Sequence, residues 1–253
     1  MPDTDESNRI MSKHLLTVSE VFGPTLQGEG ISQGKPATFI RTALCNLDCK
    51  WCDTPFTWDW TGKNGYAYSK ALETRRLPTD TIADMVDKHC KRVVISGGEP
   101  MIQQTSLLQL VRTLRERGHV VEIETNGTQI PNPEWLALAV EYGDLGVQFN
   151  VSPKLWHSGV EWDTAINIDA LTAYKHLGAV FKFVVKQPHC IHQIEYLANL
   201  AGLEADTIWL MPEGRTALEV TVNLQWVFDE CVRHNWNLTP RLHVLAYNDK
   251  RGI

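Results

Sequence analysis

The sequence predicts an α/β protein of one domain, a partial (β/α)6 barrel whose six strand–helix units fall short of the eight of a closed barrel. Three observations predict it. Short β-rich apolar runs alternate with amphipathic helical segments, the pattern of a parallel sheet with helical crossovers. Glycine, proline and polar residues gather just after those runs, at the sheet's C-terminal edge, where parallel α/β proteins build their sites. No break in composition marks a second domain. An open doubly wound sheet is the competing architecture.

Residues 1–13 are polar and acid-rich and are expected to form a flexible tail, with 14–253 as the domain. The first strand is expected over 38–45. Residues 57–80, rich in aromatics and turn formers, read as an insertion after it. The helical segment "TIADMVDKHCK" precedes a strand at 92–96. In the following "QTSLLQLVRTLRERG", Leu107, Leu110, Val111 and Leu114 share one helix face. Strands at 120–125, 146–152, 180–186 and 207–211 are each followed by a helical segment, the last being "ALEVTVNLQWVFDECVRHN". "LTPRLHVLAYNDKRGI" closes the chain with a strand-like run and a basic tip. Both it and the insertion are candidates to cover the open edge.

A hydrophobic content of 43% over 253 residues supports a sizeable core. The formal charge of -6 argues against a broad electrostatic grip on nucleic acid or an anionic membrane. No run approaches the ~18 apolar residues of a spanning helix. The N-terminus lacks the basic start and apolar centre of a signal peptide, so a cytoplasmic location is expected. Six cysteines in a chain of this length do not form a secreted disulfide framework.

The chemistry gathers in "FIRTALCNLDCKWCDTP". Cys45, Cys49 and Cys52 form C-x3-C-x2-C with no fourth Cys or His nearby. Structural zinc normally takes four protein ligands. An iron–sulfur cluster fits better, because three thiolates leave one iron open to something that is not protein. Cys90, Cys190 and Cys231 lie far downstream and read as ordinary buried thiols. One unit after the cysteines comes "SGGEP", whose Gly97 and Gly98 allow close backbone approach.

With these residues in place the chain resembles the radical S-adenosylmethionine (SAM) superfamily, in which C-x3-C-x2-C holds a 4Fe-4S cluster. The resemblance implies that the open iron binds the methionine moiety of SAM and that one electron releases a 5′-deoxyadenosyl radical. It implies SAM contacts from Trp51, Cys52, Asp53, Gly97, Gly98 and Glu99, and from "SPK" (Ser152, Pro153, Lys154) and "MPEG" (Met211, Pro212, Glu213, Gly214). "LQGEG" at 26–30, "CDTP", "ETNGT", "VSPK" and the terminal "LH" and "DKRG" follow in order, and together they resemble the 7-carboxy-7-deazaguanine synthase family. That likeness implies ring contraction of 6-carboxy-5,6,7,8-tetrahydropterin with loss of ammonia. It implies a substrate site of Leu26, Gln27, Gly28, Glu29, Arg41, Ser96, Glu124, His243 and Ile253, and Mg²⁺ at Thr54. Arg41 offers a planar fork for the pterin carboxylate, though a strand arginine can equally pair with a neighbouring acid. A flavodoxin or ferredoxin as electron donor and a homodimer are implied by resemblance alone. The rival enzymatic reading is an activating enzyme that plants a glycyl radical on a partner protein.

Overall fold

The computed structural model describes residues 14–141 and 146–253; the expected tail, 1–13, lies outside them. One sheet of nine strands organises the described residues. These are β1 (Leu15–Leu26), β2 (Pro36–Thr42), β3 (Arg75–Pro78), β4 (Arg92–Gly97), β5 (Val120–Thr125), β6 (Val147–Val151), β7 (Val180–Val185), β8 (Ile208–Pro212) and β9 (Asn237–Leu238), in the spatial order β3-β1-β2-β4-β5-β6-β7-β8-β9. From β2 through β9 every pairing is parallel, while β1 runs antiparallel to both β2 and β3. The main helices are α1 (Thr79–Asp84), α2 (Gln104–Glu116), α3 (Pro133–Glu141), α4 (Ile168–His176), α5 (Cys190–Ala201), α6 (Ala217–His234) and α7 (Leu242–Tyr247).

The six expected strands are β2, β4, β5, β6, β7 and β8. In α2 the face of Leu107, Leu110, Val111 and Leu114 is fully buried, as its spacing predicts. Along β5 the residues alternate by face: Val121 and Ile123 join the apolar core, while Glu122 and Glu124 point into the barrel. A buried polar layer forms there, with Glu122 bonded to Arg92 and, at 3.2 Å, to Asn150 of β6. All six residues of β7 are buried, including Lys182.

The insertion is ordered: Asp59 accepts from the backbone N–H groups of Gly62, Lys63 and Asn64 at 2.8, 2.9 and 2.7 Å, and the segment's end enters the sheet as β3. One expectation is corrected. The closing run is not a strand. Thr239 donates its backbone N–H to Leu210 at 2.9 Å, but Pro240 has no N–H to extend that ladder, and residues 242–247 coil into α7. His243 therefore stands on a helix.

Candidate active site

Backbone hydrogen bonds anchor the start of the cysteine loop. After β2, Leu44 adopts a left-handed φ of 73° and turns the chain into Cys45. The glycines of β4's end close on it: Gly98 N donates to Thr42 O at 3.0 Å and Glu99 N to Leu44 O at 2.8 Å. A Cβ on Gly98 would stand 1.9 Å from Leu44 O, and one on Gly97 2.2 Å from Thr42 O. Only glycine fits, so the sequence fixes how tightly "GGEP" grips the loop.

Cys45, Cys49 and Cys52 face one cavity. Burial pushes the Cys45 thiol up to about 12 and Cys49 to about 11, and raises Cys52, each helped upward by neighbouring thiols or acids. Bare, such thiols stay protonated at neutral pH; a bound cationic centre would deprotonate them. Among the described residues no group of three or more His, Cys, Asp or Glu side chains is placed around a single ion. The donor set suits a cluster, since iron–sulfur clusters take thiolates and their sulfurs accept hydrogen bonds. Leu47 N lies 3.4 Å from Cys45 Sγ, and Trp58 Nε1 donates to Cys52 Sγ at 3.3 Å. Thr54 Oγ1 is 3.7 Å from Cys52 Sγ and faces the same cavity.

Charged side chains line the same cavity. Glu124 accepts from Gln27 Nε2 at 3.1 Å and from Ser96 Oγ at 2.7 Å. Register explains the gathering, because Ser96 on β4 sits beside β5, and Lys182 projects from β7 to within 3.8 Å of Glu124. Glu29 is no solvated loop charge. It pairs with Lys182, takes Arg241 Nε at 2.9 Å, and lies 3.8 Å from His243 Nε2. Burial would raise its carboxyl, but Lys182, Arg241 and His243 overcome that and hold it well below the usual carboxylate range. Arg241 also pairs with Asp53 and donates to Gly214 O at 2.7 Å. His243 packs so closely on Gly28 that a Cβ there would meet its Nδ1 at 2.1 Å, and burial lowers its imidazole so that it is neutral at pH 7.

Lys182 and Arg241 are the residues that sequence reasoning missed. Lys182 had a readable signal, a lone charge within the apolar run "VFKFVV", which is costly unless paired. Arg241, one residue after a proline, had none. Arg41 pairs with the acid Glu20, Nε to Oε1 at 2.9 Å, while remaining on the cavity wall.

Where SAM is expected, Trp51 stacks on His157 with ring centres 5.6 Å apart, and Lys154 Nζ lies 5.5 Å from its ring centre. Lys154 Nζ also donates to Ser152 Oγ at 3.0 Å. His157 Nε2 stands 3.2 Å from Glu213 Oε2, an ion contact off the hydrogen-bond direction, and its Nδ1 is 3.8 Å from Cys190 Sγ. Although burial opposes it, those two partners raise the imidazole to about 9. Cys90, Cys190 and Cys231 are all buried, and Cys190 lies beside the His157 imidazole.

Every residue expected at the site lines this single cavity of about 880 Å³, Ile253 included, except Glu99, Pro153 and Pro212. For Glu99 this is a correction. Its carboxylate lies fully buried behind the wall, accepting from Met101 N at 2.8 Å, Thr125 Oγ1 at 2.7 Å and Asn126 N at 2.6 Å. It stitches the "GGEP" turn to the "ETNG" turn. Pro153 and Pro212 are buried outside the cavity lining, Pro212 as the last residue of β8.

A parallel sheet whose strand ends carry three clustered cysteines and a glycine turn into one cavity is the arrangement of a radical SAM enzyme, and residues 39–160 match the family model described as "Radical SAM superfamily". Over 236 residues the chain is 34% identical to the 7-carboxy-7-deazaguanine synthase of Pyrobaculum aerophilum, covering 93% of this chain and 96% of that protein. The same enzyme of Halobacterium salinarum is 33% identical, with 92% and 91% covered. The crystal structure of QueE from Escherichia coli superposes with a TM-score of 0.67 at 26% identity, over 95% of this chain and 100% of that one. The chain belongs to the 7-carboxy-7-deazaguanine synthase family.

Proposed function

We propose that this protein is a carbon–nitrogen lyase that contracts the ring of 6-carboxy-5,6,7,8-tetrahydropterin to 7-carboxy-7-deazaguanine with release of ammonia. The observation that carries the reading is the single cavity that the three thiols share with Gln27, Glu29, Arg41, Ser96 and Glu124. In this reading Cys45, Cys49 and Cys52 hold the 4Fe-4S cluster. When bound, the cluster and SAM would supply radical chemistry for abstraction of a substrate hydrogen. Gly97 and Gly98 bring backbone against the cofactor, and Trp51, Ser152, Lys154, Met211, Glu213 and Gly214 surround it. Gln27 and Glu124 meet the polar edge of the pterin, and Arg41 meets its carboxylate. Lys182 and Arg241 do not compete for that carboxylate, because Glu29 and Asp53 occupy them.

Thr54 offers one hydroxyl to a Mg²⁺ that keeps waters and substrate oxygens as its other ligands. A small one-electron protein such as a flavodoxin or ferredoxin would reduce the cluster, and a cytoplasmic homodimer is the working form. Among the described residues no helix is long and apolar enough to cross a membrane. Synthase relatives matched over nearly the whole chain favour this small-molecule reaction over glycyl-radical activation of a partner protein.

Anaerobic incubation of the reconstituted protein with SAM, reductant, Mg²⁺ and the carboxylated pterin tests the reading. Equal amounts of deazaguanine product and ammonia, with SAM recovered, are expected. SAM cleavage without any deazapurine would overturn it.

A further inference from the structure

Arg41 does not stand alone on its wall. Arg251, from the C-terminal tail, lines the same part of the cavity. Glu20 sits opposite Arg41 in the β1–β2 ladder and takes one guanidinium on each oxygen, Arg41 Nε at 2.9 Å on Oε1 and Arg251 Nε at 3.0 Å on Oε2. The buried Phe56 ring supports both cations, with its centre 5.8 Å from the Arg41 guanidinium and 3.7 Å from that of Arg251. Glu73, from the insertion, adds a contact to Arg251 Nη2 at 2.9 Å.

Two guanidiniums side by side repel unless anions lie between them, and here Glu20 and Glu73 offset that repulsion. The remaining terminal nitrogens, both of Arg41 and Nη1 of Arg251, make no ion pair among the described residues. Planar donor edges of this kind match a carboxylate, which two arginines can grip at once.

We infer that Arg41 and Arg251 form a two-arginine clamp for a carboxylate ligand, spaced by Glu20 and backed by Phe56, with Arg251 a specificity-determining residue for the carboxylated pterin. The choice of pterin rests on the proposed function. Two carboxylates come to this cavity in that reading, the substrate's and that of SAM, and the clamp commits to the first. It lies beside β1 and the insertion, whereas Ser152, Lys154, Met211, Glu213 and Gly214, expected around SAM, stand at or past the ends of β6 and β8, with Trp51, Cys52, Asp53, Gly97 and Gly98 between, on the cysteine loop and at the end of β4.

The test compares parent, Arg251→Ala and Arg251→Lys proteins, reconstituted anaerobically. Ligands are 6-carboxy-5,6,7,8-tetrahydropterin and tetrahydropterin lacking the carboxylate, each measured by equilibrium titration, with KM and kcat for the first. In Arg251→Ala the Kd and KM for the carboxylated pterin should rise roughly ten- to hundredfold, as expected for loss of a charge-assisted hydrogen-bonding partner. Its kcat should hold, as should binding of the uncarboxylated pterin and the KM for SAM, and Arg251→Lys should recover part of the loss. Unchanged affinity overturns the clamp. So does equal weakening of both pterins, which would make Arg251 a latch for the tail, or a rise confined to SAM. A parent that binds the carboxylated pterin tightly but never converts it overturns the functional reading and leaves the clamp standing.

Discussion

Gly98 carries the position of the cysteine loop, because its missing Cβ is what lets Leu44 and Cys45 lie against the glycine turn. Gly98→Ala should push backbone against backbone and cost about 1–3 kcal/mol. Its melting temperature should fall, and it should take up less iron on reconstitution than the parent. Parent-like uptake would mean that the loop adjusts freely. Glu29 gives a second residue-scale expectation. Its carboxyl is depressed in the folded protein, so its stabilising pairs are fully formed above the ordinary carboxylate value of about 4.3 and fade as pH falls toward its own lower value. Glu29→Gln should leave Lys182 and Arg241 short of an anion and cost about 3–5 kcal/mol at pH 7. In urea unfolding, the gap between parent and variant should narrow between about pH 5 and pH 3; a constant gap would show that Glu29 is not ionised in the fold. The sequence made the thiols and glycines legible because their chemistry is fixed by residue type. It hid the partners of Glu29, since Lys182 and Arg241 are 153 and 212 residues away from it and only the fold joins them.

At the scale of elements, strands and helices with a buried face were readable, and those defined by partners were not. β4 through β8 are apolar runs, and α2 shows its stripe openly. β1 breaks its alternation at two register shifts, and β3 is four residues long, so each exists chiefly because its neighbour offers a ladder. α7 read as a strand for want of any local sign that Pro240 stops β9. The loop from β8 into α6 is tied by a capping box, in which Thr216 Oγ1 accepts from Glu219 N at 3.2 Å and the Glu219 side chain accepts from Thr216 N at 3.1 Å. Thr216→Ala should cost about 1 kcal/mol. Because Gly214 packs on Val220 just beyond the cap, the KM for SAM should rise with it. A loss of stability with no change in that KM would separate the loop from cofactor binding.

Across the whole molecule, one sheet edge collects segments that are distant in sequence. β2 brings the thiols, β4 and β5 the glycine turn and the acids, β7 the buried lysine, and the chain's last turns bring Arg241, His243 and Arg251. The proposal that unites these parts is that three protein thiolates leave one iron corner for SAM beside the residues proposed to hold the pterin. Electron paramagnetic resonance of the reduced, anaerobically reconstituted protein, recorded with and without SAM, tests it most directly. Roughly four irons per chain and a cluster signal that changes when SAM is added are expected. A signal indifferent to SAM, or a cluster that persists in Cys49→Ser unchanged, would contradict the account.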